Sequence, residues 1–430
     1  MDSSGTLWDL GFETIKELEV EQGILASGKE EIFGCIFGRD SLITSLKLLR
    51  VYENTKDPYF LALVKKILQN LVALQGTEVN IESGEEPGKC IHEFRPSNHE
   101  HLTRDLEIPW YLYPDNMMRN YDSVDSTPLF LITLYRYFQA SADNAFMQET
   151  LPNVKLGLNW LVTYGDKNGD GFVDYGLNPE RKFGGLATQS WMDSGESVFH
   201  EDGSAVAFPI APVEAQSYTF LALRLWSDYF KNSDNIHSDA LKQRADKLKA
   251  HFNEVFVTAN DQGVFLATGV DGNGKLLTSV RSSMGHCIWS SLEKSRDGVQ
   301  ESIIKDEFIP KIIERLMAPD MFAPKAGIRT LSSLSVSYSP NSYHNGSIWP
   351  HDTSIIAEGF DLFGYHAEAK QVREALLYAL THFNSPIELF VYEEDYSEYC
   401  SPHGQKACLK QAWSAATLLK ELASTRTITS

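Results

Sequence analysis

The sequence predicts an all-α fold in a single domain spanning residues 1–430, because helical periodicity recurs along the chain while strand patterns are rare. The first three helical segments, 6–24, 40–52 and 58–74, repeat apolar residues at three- and four-residue steps, the signature of an amphipathic helix. Nine further segments share this pattern: 127–140, 144–164, 213–230, 238–255, 285–293, 307–317, 347–363, 366–383 and 410–423. We therefore expect about twelve helices.

Strand-like runs are short, the better ones being 264–268 and 389–392. Strands and helices do not alternate, which disfavours a doubly wound sheet. Three non-helical stretches, 76–125, 166–212 and 385–409, are longer than ordinary connections, and long loops in a compact domain usually carry function. They are rich in Trp, Tyr, His, Asp and Glu, the lining expected of a sugar-binding cleft.

The composition excludes several classes of partner. The chain has 38 Lys and Arg against 58 Asp and Glu, a net charge of -20, whereas nucleic acids and anionic membranes attract basic surfaces. The N-terminus lacks a basic region followed by an apolar run, and no stretch reaches the ~18 apolar residues of a membrane helix. Five cysteines without a CxxC pair fit neither a disulfide framework nor a zinc site. We expect a cytoplasmic protein with reduced cysteines.

Three polar clusters are candidates for the chemistry: FGRDS at 37–41, QSWMDS at 189–194 and NGSIWPHD at 345–352. Each also has a structural interpretation when taken singly. Arg39 and Asp40 are compatible with a local ion pair at a helix N-cap. Trp191 and Trp349 are compatible with core aromatics, and Asp193 with a turn before a Ser-Gly step. The combination of the three clusters favours a functional site.

Ten blocks occur in a defined order along the chain: FGRDSLIT, EEPGKCIHE, YDSVDSTPLFL, GDGFVDY, QSWMDS, PVEAQSY, GIRTLS, SYHNGSIWPHD, PIELF and QAWSAA. In this order they resemble the catalytic domain of bacterial amylo-α-1,6-glucosidases, or glycogen-debranching-type proteins, from about residue 7 to residue 422. The resemblance implies an (α/α)6 barrel, a six-hairpin glycosidase fold related to glucoamylases, with long active-site loops.

The resemblance assigns roles residue by residue. It implies that Asp193 is the general acid and Glu388 the general base of an inverting, exo-acting α-glucosidase, with Glu393 and Glu394 on the same loop as rival bases. Residues implied to hold or line the substrate are Arg39, Asp40, Trp191, Trp349, His351 and Asp352, with Glu214, Gln216 and Arg329 as weaker candidates that fit the barrel wall equally well. Two carboxyl groups suit this chemistry, since one protonates the leaving oxygen and the other activates water. The acid must stay protonated, which an apolar setting beside Trp191 favours.

The expected enzyme acts on a carbohydrate and needs no organic cofactor, and its oligomeric state stays open. Members of the family that the sequence resembles usually carry an N-terminal β-rich domain before the barrel, whereas this sequence begins at the first barrel helix. A small glucoside, glucosylglycerate- or sucrose-like, is therefore an alternative to a glycogen-type substrate. A non-catalytic carbohydrate-binding protein is a second alternative, which the presence of both Asp193 and Glu388 disfavours.

A separate signal is the segment DKNGDGFVD at 166–174, which matches the first part of a calcium loop. Its oxygen-bearing side chains at positions 1, 3, 5 and 9 are Asp166, Asn168, Asp170 and Asp174. The twelfth position is Leu177 instead of Glu, and no paired loop occurs, which disfavours a calcium-regulated module. Two interpretations stay open: a structural Ca²⁺ site, and an Asx-rich turn stiffened by glycine.

Overall fold

The computed structural model describes residues 3–293 and 300–426, and helices are the dominant regular structure in these ranges. The helices are α1 Ser3–Leu18, α2 Gly38–Thr55, α3 Pro58–Ala73, α4 Glu100–Thr103, α5 Ser126–Ser141, α6 Asn144–Thr163, α7 Val213–Phe230, α8 Asn235–Val255, α9 Ser283–Trp289, α10 Ile309–Leu316, α11 Pro350–Leu362, α12 His366–Phe383 and α13 Ala412–Arg426. Each of the predicted helical segments overlaps one of these helices, although the segment 285–293 runs past the end of α9 at Trp289, and α4 is an additional single turn.

The strands are short. They are β1 Glu19–Val20, β2 Gly23–Ile24, β3 Ile36–Phe37, β4 Glu93–Arg95, β5 Met118–Asn120, β6 Ala211–Pro212, β7 Val257–Asn260, β8 Gly263–Leu266, β9 Gly269–Val270, β10 Leu276–Leu277, β11 Phe322–Ala323, β12 Gly327–Ile328, β13 Phe390–Tyr392 and β14 Tyr396–Glu398. β8 and β13 confirm the two predicted strands. Within the described ranges no sheet exceeds three strands, and no helix combines the length and apolarity needed to cross a bilayer.

The first predicted helix extends too far, to residue 24 instead of Leu18. After α1 the chain turns back, and β1 pairs with β2 so that Val20 lies opposite Gly23. Gly23 has a φ of 117°, a conformation that glycine adopts without steric cost. The apolar pattern continues through this hairpin because Ile24 is also buried, so periodicity alone does not mark the end of the helix.

The described residues form two compact units. The first comprises the described parts of Met1–Lys167, Tyr175–Asp193 and Cys408–Ser430, and the second those of Asn168–Asp174 and Ser194–Ala407. Each unit has its own helical core. The single domain expected from the sequence stays a prediction.

In the first unit, three inner helices are each covered by an outer, more amphipathic helix. α2 packs against α5 and α13, while α3, α6 and α1 lie against α2, α5 and α13 respectively. Most faces of α2 are buried, and part of its polar surface is bonded within the helix: Ser45 Oγ donates to the Ser41 carbonyl at 2.7 Å. The outer helix α3 buries a stripe that includes Leu63, Ile67 and Leu71, as its periodicity predicts.

The second unit repeats this arrangement. α9 packs against α7 and α11, while α8, α10 and α12 lie against α7, α9 and α11 respectively. Two glycines allow α9 and α11 to approach closely. A Cβ on Gly285 would lie 2.5 Å from the Ile356 side chain, and one on Gly359 would lie 2.9 Å from the Trp289 backbone nitrogen. Any larger residue at either position would push the two helices apart.

Extended segments lead directly into three inner helices and place candidate residues at their N-termini. β3 runs into α2, β6 runs into α7, and the extended residue Trp349 precedes α11. Each of these helices carries an acidic residue in its first turn, namely Asp40, Glu214 and Asp352. The N-terminal end of a helix dipole stabilises negative charge, so each carboxylate is favoured where it stands.

Candidate active site

Arg39 organises a buried cluster in the first unit. Its Nε donates to Asp125 Oδ2 at 2.7 Å, its Nη1 to Asp193 Oδ2 at 3.0 Å and its Nη2 to the Ser190 carbonyl at 2.8 Å. The guanidinium therefore ties the start of α2 to the start of α5 and to the QSWMDS loop. Burial alone would lower the pKa of Arg39, but the charges of Asp125 and Asp193 raise it above its ordinary value, so the side chain stays cationic.

Asp193 has the properties of a proton donor. Burial raises the pKa of its carboxyl above the usual range; Arg39 opposes this effect, Asp125 adds to it, and the net shift is upward. About 25% of the side chain nevertheless remains exposed, so a ligand can reach it. A general acid needs a carboxyl whose pKa is raised and which a ligand can reach, and Asp193 shows both features.

Asp40 and Trp191 complete the part of the predicted site that lies in the first unit. Asp40 is buried, and Gln411 Nε2 donates to its Oδ1 at 3.0 Å. Trp191 is also buried, and it lies in the chain between Ser190 and Asp193, both of which contact Arg39. The structure therefore brings the first-unit candidates together around the N-terminus of α2.

Glu388, in the second unit, is 1% exposed and accepts a hydrogen bond at Oε1 from the hydroxyl of Tyr343. Tyr343 is itself held in place. Its carbonyl accepts from Trp349 Nε1 at 3.0 Å and from Ser347 Oγ at 2.6 Å, and its ring packs edge-on against Trp349 with centroids 4.9 Å apart. A restrained phenol therefore fixes the orientation of the Glu388 carboxylate.

The rival bases have a different environment. Glu393 and Glu394 are exposed at the turn that joins β13 to β14, where water surrounds their carboxylates. Glu388 precedes β13 and is enclosed by protein. Since a positioned base needs neighbours that fix its geometry, the surroundings of Glu388 suit the role better than those of its rivals.

Trp349 is packed between two side chains of the SYHNGSIWPHD motif. The His344 ring stacks on it at a centroid distance of 5.0 Å and an angle of 12°, and Tyr343 meets its edge. The Ser194 backbone N–H donates to His344 Nδ1 at 3.3 Å, and the Ser194 hydroxyl lies 2.9 Å from the same nitrogen. Ser194, the last residue of QSWMDS, is thereby linked to the same motif.

His351 and Asp352 are fully buried. His286 Nε2 lies 2.7 Å from Asp352 Oδ1, and the other ring nitrogen of His286 bonds to the Tyr218 hydroxyl. Asp352, His286 and Tyr218 come from α11, α9 and α7, so the network joins all three inner helices of the second unit. The direct sugar contacts expected for His351 and Asp352 stay predictions, and in this conformation both are inside the helical core.

The weaker candidates lie on the same unit with distinct contacts. Gln216 exchanges two hydrogen bonds with the backbone of Val173, at 2.9 and 2.6 Å, and its amide also donates to the Pro212 carbonyl at 3.0 Å. Glu214 is buried in the first turn of α7. Arg329 Nη1 donates to the Pro319 carbonyl at 3.3 Å. The contacts of Gln216 support the wall of the unit, the structural role left open for it above.

Sequence reasoning missed Arg281, a buried residue ahead of α9. Its Nη1 donates to the His344 carbonyl at 2.7 Å, and its Nη2 donates to the Ser197 carbonyl and to Asn345 Oδ1, both at 2.6 Å. Burial lowers its pKa to about 10, so it remains charged at neutral pH. Like Arg39 it stands at the start of a helix, but it has no adjacent Asp in the sequence to attract notice.

Sequence reasoning also missed Asp125 and Tyr343 as individual residues, although both lie inside quoted motifs. Asp125 precedes Ser-Thr-Pro, which in sequence is indistinguishable from an ordinary helix N-cap. Its second role, as the acceptor of a hydrogen bond from Arg39, is visible only in the structure because the two residues are 86 positions apart in the sequence.

The segment at 168–174 forms a turn stabilised by its own side chains. Asn168 Oδ1 accepts from the Asp170 N–H at 3.0 Å, Asp170 Oδ1 from the Phe172 N–H at 2.8 Å, and Asp174 Oδ2 from the Asn168 N–H at 3.3 Å. These contacts are those of the Asx-rich turn. Across the described ranges, no group of three or more His, Cys, Asp or Glu side chains is arranged to hold a metal ion. The calcium site stays a prediction, which a calcium titration of the chelator-treated protein tests.

Comparison with known proteins places these residues in context. The sequence profile of a family described as amylo-alpha-1,6-glucosidase matches residues 69–420, which include Asp193 and Glu388. No curated protein sequence matches the chain.

Several solved structures share the fold at low sequence identity. A GH63 mannosylglycerate hydrolase from Thermus thermophilus in complex with Tris is 13% identical, with a TM-score of 0.65 over 96% of this chain and 99% of that one. The same hydrolase in complex with glucose gives 13% identity and a TM-score of 0.61, with the same coverage. A glycosidase variant in complex with glucose is 11% identical, with a TM-score of 0.59 over 97% of both chains. These likenesses confirm the predicted fold class, an all-α (α/α)6 barrel.

Proposed function

This chain belongs to the amylo-alpha-1,6-glucosidase family and is a glycoside hydrolase, and from this premise we propose that it is an inverting, exo-acting enzyme that releases glucose from α-glucosides. The observation that carries the proposal is the state of Asp193, a reachable carboxyl whose pKa is raised by burial. Hydrolysis of a glycosidic bond starts with such an acid.

We assign the first proton transfer to Asp193. Its carboxyl proton moves to the glycosidic oxygen as the bond between that oxygen and the anomeric carbon breaks, and the aglycone leaves as an alcohol. The carboxylate that remains is an anion 3.0 Å from Arg39 Nη1. The charge-assisted hydrogen bond from Arg39 stabilises that anion against the cost of its burial, so Arg39 favours the product side of the transfer.

We assign the activation of water to Glu388. Its carboxylate takes one proton from water, and the water oxygen forms the new bond to the anomeric carbon on the face opposite the leaving group. The hydrogen bond from Tyr343 to Oε1 restrains the carboxylate. No organic cofactor is needed, because the two carboxyl groups and water account for every atom and proton.

We propose that Arg39, Asp40 and Trp191 hold the terminal glucosyl unit. Charged side chains suit the hydroxyls of a sugar and the indole suits its apolar ring face. Trp349, His351 and Asp352, with Glu214, Gln216 and Arg329, are proposed as further residues that bind or support the substrate.

A small glucoside is the second candidate substrate. It is supported by the likeness to a mannosylglycerate hydrolase over almost the whole of both chains, whereas the family profile favours an α-1,6-linked glucan. A hydrolysis screen separates the two. Cleavage of isomaltose, panose and glycogen limit dextrin supports the glucan, and cleavage confined to glucosylglycerate, mannosylglycerate or sucrose supports the small glycoside.

The stereochemical course tests the mechanism independently of the substrate. An inverting enzyme converts an α-glucoside to β-glucose first, which proton NMR detects before mutarotation mixes the anomers. If α-glucose appears first, the enzyme retains configuration and Glu388 cannot act only as a base toward water.

A further inference from the structure

A cavity of about 360 Å³ lies in the second unit and shares no residue with the proposed catalytic and substrate-binding sets. The β7–β8 hairpin forms one wall, and the neighbouring segments 278–280 and 332–335 form another. The lining residues are Glu201, Thr258, Ala259, Asn260, Gln262, Phe265, Thr278, Val280, Arg315, Ser332, Leu334 and Ser335. Ala259, Asn260 and Gln262 are exposed, so a ligand can enter past the hairpin.

The two charged side chains in this lining are already occupied by protein partners. Arg315 donates to both carboxylate oxygens of Asp320, at 2.9 and 2.6 Å. Glu201 accepts from Ser335 Oγ at 2.7 Å and from the Val336 N–H at 3.3 Å. A ligand with a net charge would therefore have to compete with existing ion pairs and hydrogen bonds.

The remaining lining is neutral, and it combines hydrogen-bonding groups with an apolar surface. Thr258, Thr278 and Gln262 supply hydroxyl and amide groups, which donate as well as accept. Leu334, which is 63% exposed, and the buried Phe265 contribute apolar side chains to the same lining. A sugar has the matching chemistry, with hydroxyls around its edge and C–H groups on its ring faces.

The size of the cavity limits the ligand. Ligand pockets span roughly 300–1,000 Å³, and this one is at the lower end. We propose that it is an accessory binding site for a neutral saccharide of one or two hexose units, separate from the catalytic residues. The proposal goes beyond the proposed hydrolysis, because binding can be measured whether or not the sugar is cleaved.

The test blocks the cavity without touching the proposed catalytic residues. Ala259→Trp places an indole at an exposed lining position, so it fills the cavity without disturbing the core. Asp261→Trp places the same indole at the exposed turn of the same hairpin, outside the lining, and is the matched control. The probe is 4-thiomaltose, a disaccharide analogue that resists hydrolysis, titrated into the full chain while backbone amide NMR shifts are followed.

The expected result is a saturable set of shifts at Thr258, Phe265 and Leu334, distinct from any at Arg39 or Trp191. Ala259→Trp should raise the dissociation constant for that set by about tenfold or more, whereas Asp261→Trp should change it by less than about twofold. Hydrolysis of an aryl α-glucoside should be equal in both variants.

Three outcomes would overturn the proposal. They are the absence of shifts around the cavity in the wild type, equal affinity in the Ala259→Trp variant, and saturation of the cavity by inorganic phosphate in place of the sugar. Failure of the proposed hydrolytic function is a separate result. It would appear as a lack of turnover, while the sugar-induced NMR shifts of the cavity residues persisted.

Discussion

The hydrogen bond between Arg39 and Asp193 bears on two requirements of a general acid. The acid must hold its proton before reaction and tolerate a negative charge afterwards. Burial and Asp125 favour the protonated form, while Arg39 favours the anion. Because these influences come from separate residues, each can be altered alone and its effect on catalysis measured.

Asp193→Asn should lower kcat by about 10²–10⁴-fold with a much smaller change in sugar affinity, because the amide keeps the shape of the side chain but cannot donate the acidic proton. The raised pKa also has a consequence for stability. A carboxyl whose pKa is higher in the folded state contributes stability that is present at low pH and is lost as the pH rises through the folded pKa. The variant should therefore unfold at the same or a higher temperature than the wild type at pH 8.

Asp202→Asn, a substitution at an exposed carboxylate, is the control for both measurements. Substantial hydrolytic activity in Asp193→Asn would mean that another residue is the general acid.

Asp125→Asn should move the basic limb of the kcat/KM profile to lower pH. Asp125 raises the pKa of Asp193 directly, and it also competes for the guanidinium that lowers that pKa. Removing the charge of Asp125 should therefore lower the pKa of Asp193 through both effects. A profile measured from pH 5 to 9 reports the shift. If the basic limb does not move and kcat/KM falls equally at every pH, Asp125 has only a structural role.

Tyr343→Phe should lower kcat by about tenfold and leave KM nearly unchanged, because it removes the donor that orients Glu388. Tyr399→Phe is the matched control, because Tyr399 packs against Tyr343 at a centroid distance of 5.4 Å. Equal effects from both substitutions would assign Tyr343 to packing alone.

At the scale of elements, a single buried arginine joins segments that are distant in the sequence. Arg281, immediately ahead of α9, donates to residues 84 and 63 positions away, Ser197 and His344. The loop after QSWMDS and the SYHNGSIWPHD motif thus share one anchor. Their positions relative to α9 follow from the fixed fork of the guanidinium.

Arg281→Lys should destabilise the protein by about 2–4 kcal/mol, because the ammonium cannot reach all three acceptors and leaves buried oxygens unsatisfied. Urea denaturation monitored by circular dichroism measures this change. Arg329→Lys is the comparison, since Arg329 makes one long hydrogen bond, at 3.3 Å, to a carbonyl. Similar free energies of unfolding for the two variants would contradict the anchoring role.

At the scale of the whole molecule, the charge of -20 at pH 7 keeps molecules apart in solution. This repulsion vanishes near the sequence isoelectric point of about 5.0. Light scattering should therefore rise as the pH falls toward 5 and decline again below pH 5. Added salt should reduce the difference in scattering between pH 5 and pH 7. Scattering that stays flat from pH 7 to 5 would show that surface charge does not control association.

Local patterns predicted the helices well because each helix buries a stripe that its own residues encode. The end of α1 was missed because the β1–β2 hairpin continues that apolar pattern. The cluster around Arg39 could be anticipated because the FGRDS motif carries a distinctive dipeptide, Arg39 and Asp40, while the roles of these residues in the site stay predictions. The site was not predictable at Arg281, whose acceptors are backbone carbonyls and an amide far along the chain, because carbonyls leave no signature in a sequence.

The C-terminal helix α13 has a consequence for how the protein is made. It packs against α1 and α2, and the Ala412 N–H donates to the Ala26 carbonyl at 2.8 Å. The first unit therefore lacks one of its inner helices until residues 412–426 have left the ribosome. Until then the faces of α1 and α2 that pack against α13 stay uncovered, while about 350 residues are added after α2. Chaperones that shield nascent chains should accordingly govern the yield of this protein, and a premature stop codon shortly before α13 should be as damaging as one near the start.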